Sequence, residues 1–79
     1  DYIELTPEVA IYEIPIMSDW PGKSIASLNI RRKYNINILA IKNGASIQSL
    51  PGGDYVFEKN DHIIIVGKFI DVSRITEKT

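Results

Sequence analysis

The stretch Tyr34-Asn35-Ile36-Asn37-Ile38-Leu39-Ala40-Ile41-Lys42-Asn43-Gly44 decides the fold, because three structural signals follow one another inside it. Asn35 tolerates the left-handed conformation that closes a helix. Ile36 to Lys42 then carries apolar residues at both parities, Ile36, Ile38 and Ala40 on one face and Leu39 with Ile41 on the other. That pattern predicts a strand covered on both sides. Asn43-Gly44 is a two-residue turn signal, so Ala45 to Leu50 is expected to return antiparallel as a hairpin.

Upstream, Lys23 to Tyr34 reads as helical with a broken stripe: Ile25 and Leu28 fit one face, Ile30 and Tyr34 another. Asn29 lies between them and is a good N-cap, which predicts two short helices or one kinked helix, the second part starting at Ile30. Ser18 to Gly22 is a loop. Val9 to Ile16 alternates as a strand, with Tyr12, Ile14 and Ile16 on one face and Val9, Ile11 and Glu13 on the other. Pro15 puts the end of that strand at an edge or bulge, and Thr6-Pro7 is a break before it. Downstream, Pro51-Gly52-Gly53-Asp54 turns the chain into a short extended segment, Tyr55 to Phe57, and Glu58 to Asp61 turns it again. His62 to Val66 is apolar enough for a central strand, Gly67 is expected to stop it, and Phe69, Val72 and Ile75 fit a short terminal helix. The order strand, helix, hairpin, strand, helix gives an α+β fold, a small mostly antiparallel sheet with helices packed on it. The doubly apolar strand leaves one face to cover, and a second copy of the chain, pairing through the sheet/helix face, is the simplest cover.

The 79 residues fit one domain. A domain of this size buries roughly 60% of its unfolded surface. With no cysteine and no structural-zinc spacing to staple it, self-association is the remaining source of burial. A net charge of −1, from 9 basic and 10 acidic residues, argues against polymeric nucleic acid as a partner. The longest apolar run, Ile63 to Val66, is far from the roughly 20 residues of a membrane span, and no signal-peptide pattern opens the chain. The expected location is cytoplasmic, without direct membrane insertion. The start at Asp1, without methionine, points to a fragment of a longer chain.

Catalytic chemistry is not expected. There is no cysteine, the sole histidine is His62, and no serine sits in a nucleophile elbow. Asp54, Glu58 and Asp61 occupy turns, where carboxylates bond local backbone, and are read as solvated turn residues. One histidine with scattered acids does not form a metal set. His62 follows Asp61 and can sense pH through a neighbouring carboxylate, although ordinary packing at a strand end accounts for it. Gly52-Gly53 lacks the following helix that a phosphate cradle needs. Arg31-Arg32-Lys33 is the basic cluster, on a helix face near a favourable C-terminus. Arg31 lies six residues before Asn37, so a short helix and the next strand can carry guanidinium and amide to one side. Arginine offers planar donors to phosphate oxygens, asparagine both donates and accepts at a base edge, and Ile25 and Ile38 can pack against purine rings.

In order along the chain, Tyr12-Glu13-Ile14-Pro15, Trp20-Pro21-Gly22-Lys23-Ser24-Ile25, Leu28-Asn29-Ile30-Arg31, Tyr34 to Lys42, and Asp61-His62-Ile63-Ile64-Ile65-Val66-Gly67 resemble the RCK C-terminal domain, also called TrkA-C. The resemblance covers nearly the whole chain and is most like the Ktr-type gating subunits of potassium uptake. It implies that residues 1–79 are a ligand-sensing domain that follows an N-terminal Rossmann-type domain in a cytosolic protein, peripheral to the membrane through its transporter partner. It also implies a homodimer that binds cyclic di-AMP as regulatory ligand at its interface, inhibits uptake and needs no cofactor. Carried over by residue, Arg31 binds phosphate, Asn37 with the Ile38 backbone reads adenine, and Ile25, Ala26 and Pro51 line the pocket. Two positions depart from the family pattern: Asn35 stands where glycine is frequent, and Asn43 where arginine is. The alternative expectation is a ligand-free structural dimerisation domain of a cation transporter or antiporter.

Overall fold

The computed structural model describes residues 2–77. Its elements are β1 (Tyr2–Glu4), β2 (Val9–Pro15), α1 (Ile25–Leu28), α2 (Ile30–Tyr34), β3 (Asn37–Asn43), β4 (Ser46–Ser49), β5 (His62–Lys68) and α3 (Phe69–Glu77). The five strands form one sheet in the order β1-β2-β5-β3-β4, with every neighbouring pair antiparallel. The α+β reading holds, and β5 takes the central place that its apolar run predicted.

The helical segment breaks where the stripe broke. Ser24 caps α1 by accepting from the Ser27 N–H at 3.1 Å. Asn29 then adopts φ 51° and donates its N–H to the Ala26 carbonyl, so it closes α1 instead of capping α2 with its side chain, as had been expected. Asn35 ends α2 in the same way, with φ 58° and its N–H on the Arg31 carbonyl. Asparagine suits both places because its short polar side chain lowers the cost of the left-handed conformation. The Asn35 side chain does a second job: its Nδ2 donates to Asp71 Oδ2 at 3.1 Å and ties α2 to α3.

The two apolar parities of β3 have a cause that sequence spacing hides. A bulge between Ile38 and Ala40 shifts the register, so that Ile38 faces Ile65 and Ile41 faces Ile63 across the strands. Cross-strand partners share a face. Ile38 and Ile41 therefore both belong to the core side, and the alternation expected for Ile36 to Lys42 is interrupted at Leu39. The hairpin also turns one residue later than its dipeptide implied: Asn43 pairs with Ser46, and Gly44, at φ 60°, opens the loop with Ala45.

Gly67 does not stop β5. It sits inside the strand, opposite Ala10, and a side chain there would lie 2.9 Å from Ile36 Cγ2. Glycine at this position lets Ile36 close on the sheet. The strand β1 was not anticipated, since no strand was read before the break at Thr6-Pro7. It pairs with β2 and stacks Tyr2 on Tyr12 at 5.6 Å.

Helices and the 55–57 segment cover one side of the sheet. Trp20, Phe57, Ile63, Ile65 and Ile75 are fully buried there, with Trp20 against Phe57 at 5.2 Å and against Tyr34 at 6.0 Å between ring centroids. Each such side chain contributes about 1.5–3 kcal/mol through burial. Val72 and Ile75 anchor α3, while Phe69, placed on the same stripe by its spacing, lies in solvent. The opposite side of the sheet carries Ile11, Ile64 and Val66, half-buried, with Ile3 and Ile47 exposed. No helix among the described residues is long and apolar enough to cross a membrane.

Candidate functional site

The end of the sheet where β3 begins carries an open groove of about 160 Å³. Three local devices build it. The left-handed turn at Asn29 sets α2 at an angle to α1, so that Ile25 and Ile30 wall and floor one side. The turn at Asn35 sends Ile36 into the core and leaves Asn37 and Ile38 to open β3 along the groove. Pro51, just beyond β4, closes the third side.

Of the residues named from sequence, Ile25, Arg31, Asn37, Ile38 and Pro51 line this groove together. Ala26 stands beside it. Its N–H donates to the Gly53 carbonyl at 2.9 Å, and its methyl is so close to Gly53 that a side chain there would approach it to 3.2 Å. Ala26 therefore fixes the loop that carries Pro51. Sequence reasoning did not name Ile30 and Ile36, which form the floor and are almost wholly buried. Their apolar stripe was visible, but a stripe reports only burial and not what lies on its far side.

Arg31 and Asn37 are both exposed at the groove. Among the described residues, no side chain pairs with the Arg31 guanidinium or the Asn37 amide. One fixed cation and one amide over an aliphatic floor match an anionic ligand that carries a flat ring with a polar edge. Next to Pro51, Leu50 holds φ 47° with its N–H on the Leu39 carbonyl at 2.7 Å. That conformation costs leucine about 1–2 kcal/mol. Its side chain is 77% exposed, more than any other large hydrophobic among the described residues.

Two other polar clusters are occupied by their own partners. Asp61 was read as a solvated turn carboxylate, but it is 1% exposed. Its Oδ1 accepts from Asn43 Nδ2 at 2.7 Å, and its Oδ2 accepts from the Tyr55 hydroxyl at 2.6 Å and the Glu58 N–H at 2.8 Å. Burial and this carboxylate together push the Tyr55 hydroxyl far above the usual phenol range. The second cluster is on the open side of the sheet. His62 Nδ1 lies 3.0 Å from Glu13 Oε2, and Lys42 Nζ lies 3.7 Å from Glu13 Oε1. Glu13, not Asp61, is the carboxylate beside His62. The hydrogen bond with His62 and the charge of Lys42 hold the Glu13 carboxyl below its ordinary value. No group of three or more His, Asp or Glu side chains converges on a metal-sized site among the described residues.

Residues 9–79 match the TrkA-C domain family. Ktr system potassium uptake protein C of Bacillus subtilis (strain 168) is 37% identical over 78 residues, 99% of this chain and 35% of that protein. The chain thus spans about a third of the curated relatives it matches. Among solved structures, the RCK C domain of the potassium transport protein KtrA, in complex with cyclic diadenosine monophosphate, is 33% identical with a TM-score of 0.80, covering 87% of this chain and 81% of that one. The RCK_C domain dimer of S. agalactiae BusR, in complex with the same nucleotide, is also 33% identical, with a TM-score of 0.77 and coverage of 86% and 92%. With residues 9–79 matching its family model and a 33% identical solved domain sharing the fold at a TM-score of 0.80, the chain belongs to the TrkA-C domain family.

Proposed function

We propose that this chain is the regulatory domain of a cytosolic gating protein for potassium uptake, and that two copies bind one cyclic di-AMP between their grooves to inhibit transport. The observation that carries this reading is the groove itself, where Arg31 and Asn37 face solvent without a partner above the aliphatic floor of Ile30 and Ile36. Arg31 neutralises a phosphate, Asn37 and the Ile38 backbone hold the adenine edge, and Ile25, Ile38 and Pro51 enclose the ring. Ala26 supports the pocket from behind by holding the Gly53 loop.

Size supports the pairing. One groove, about 160 Å³, lies below the roughly 300–1,000 Å³ of sites that enclose a small molecule. A ligand with two identical halves is matched by two such grooves facing each other. Related domains at 33% identity hold this nucleotide, and one of them does so as a dimer. In the whole protein, a Rossmann-type domain precedes residues 1–79, and a membrane potassium channel or transporter subunit is the partner. The domain reads its ligand and returns it unchanged, with no catalytic step. Polymeric nucleic acid is not a partner of this domain, given its net charge of −1.

Calorimetric titration of the purified domain with cyclic di-AMP tests the reading. The expected result is saturable binding at one nucleotide per two chains, with the nucleotide recovered intact. Arg31→Ala removes a charge-assisted contact from both halves at once, and each such contact accounts for about 10–100-fold in affinity. No heat at micromolar protein contradicts the proposal. The second reading, a ligand-free dimerisation module of a cation transporter or antiporter, rests on the exposed Ile3 and Ile47 of the open sheet side. It predicts a dimer in sedimentation whose stability does not respond to the nucleotide.

A further inference from the structure

We propose that the cavity bounded by β1, the loop that follows it and the start of α3 receives an arginine side chain from a basic segment of a partner protein. It shares no lining residue with the groove at the start of β3, so it stands apart from the nucleotide reading.

The cavity holds about 230 Å³ and combines three aromatic rings, Tyr2, Tyr12 and Phe69, with two carboxylates, Glu4 and Glu8. The outer rings are not spent on the core. Tyr2 stacks on Tyr12 with 5.6 Å between centroids yet stays 64% exposed, and Phe69, the first residue of α3, is 68% exposed. The carboxylates are open as well. Among the described residues, neither Glu4 nor Glu8 makes an ion pair or a side-chain hydrogen bond. The two basic residues closest along the chain to Phe69 do not serve them. Lys68 lies opposite Val9, so the pleat puts it on the other face of the sheet from Ala10 and Tyr12. Arg74 is held by Asp71 at 3.4 Å.

The rim is fixed in place. Thr6 Oγ1 accepts from the Glu8 and Val9 N–H groups at 3.2 and 3.0 Å, and the Phe69 N–H donates to the Glu8 carbonyl at 3.2 Å, which ties the loop to α3. A rim already ordered costs an incoming group little entropy. Aromatic faces attract a cation through the ring quadrupole, and the carboxylates add to that selection. Guanidinium fits better than ammonium because it is planar, stacks on rings, carries donors for two carboxylates and sheds its water more readily. The same acids repel a phosphate or an anionic lipid surface. At about 230 Å³ the cavity is below the roughly 300–1,000 Å³ of small-molecule sites, which suits one side chain of a larger partner.

Amide chemical shifts of the domain, followed as Nα-acetyl-arginine methylamide is added, test the site, with the citrulline counterpart as an uncharged control of the same shape. The arginine probe is expected to saturate shifts at Tyr2, Glu4, Glu8 and Phe69 with a dissociation constant of about 1–10 mM, and citrulline to bind about fivefold more weakly or worse. Phe69→Ala, at an exposed position, is expected to weaken the arginine probe about threefold or more while the melting temperature changes little. The double variant Glu4→Gln, Glu8→Gln is expected to lose the preference for arginine over citrulline. Equal binding of both probes by the parent overturns the inference, as do shifts spread over every exposed carboxylate, or no shifts in the millimolar range. A lysine counterpart that binds more tightly than arginine overturns the choice of guanidinium. Folded variants that keep the parent's affinity and preference overturn the roles given to the rings and the carboxylates.

Discussion

Two corners of this small domain carry the same kinds of side chain and treat them in opposite ways. Around Asp61, every side-chain group has a partner: the carboxylate takes the Asn43 amide, the Tyr55 hydroxyl and the Glu58 N–H, and is closed from solvent. At the groove, the Arg31 guanidinium and the Asn37 amide face water above buried isoleucines. Polar groups that satisfy one another hold a fold together, whereas a cation and an amide left open above an apolar floor are available to something from outside. The difference separates residues that hold the domain together from residues it leaves open to solvent.

The sharpest way to break this comparison is to substitute both corners and measure stability by urea denaturation. Asp61→Ala takes the shared acceptor away from an amide, a phenol and a backbone N–H that are part-buried around it, and is expected to destabilise the domain by about 1–3 kcal/mol. Arg31→Ala and Asn37→Ala are expected to stay within about 0.5 kcal/mol of the parent, because neither residue has a partner to lose. If Arg31→Ala destabilises as Asp61→Ala does, the two corners do not differ in kind.

Gly67→Ala places a methyl group 2.9 Å from Ile36 Cγ2, beneath the floor of the groove. A loss of about 1–3 kcal/mol is expected, together with weaker ligand binding, since Ile36 must move. Asn35→Ala loses the bond to Asp71 and forces alanine into φ 58°, for which about 1–2 kcal/mol is expected. Asn35→Gly relieves the backbone and loses only the bond, so it should be the milder change. The smallest effect belongs to Glu13. Its carboxyl is held below the ordinary value of 4.5, so the stability it contributes is complete above that value and is lost as pH falls through the lower, folded value. Melting temperatures between pH 6 and pH 3 should fall less steeply for Glu13→Gln than for the parent, and only slightly less, because Glu13 and its two partners all reach solvent, which screens them.

How much of this was legible beforehand depended on distance along the chain. The central place of β5, the hairpin and the break at Asn29 all follow from neighbours within one element. Ile25, Arg31, Asn37, Ile38 and Pro51 were named as site residues, and the fold brings them to one groove. The burial of Asp61 was not legible, because an acid in a turn looks the same whether the turn folds outward or inward, and the inward choice was made by Asn43, 18 residues away. Which carboxylate stands beside His62 was not legible for the same reason, since Glu13 reaches it across 49 residues. The bulge at Leu39 has no residue signature at all. It arises because Ile38 and Ile41 both reach the core, which only the register against β5 reveals. Leu50 was equally silent, as its backbone angle is imposed by the return of the hairpin onto Leu39.

Backbone amide chemical shifts, followed residue by residue while cyclic di-AMP is added, test the central claim most directly. The account predicts that the largest changes fall on Ile25, Arg31, Asn37 and Ile38, while Asn43, Tyr55 and Asp61 stay where they are. Changes centred on the Asp61 corner, or none at saturating nucleotide, would contradict it.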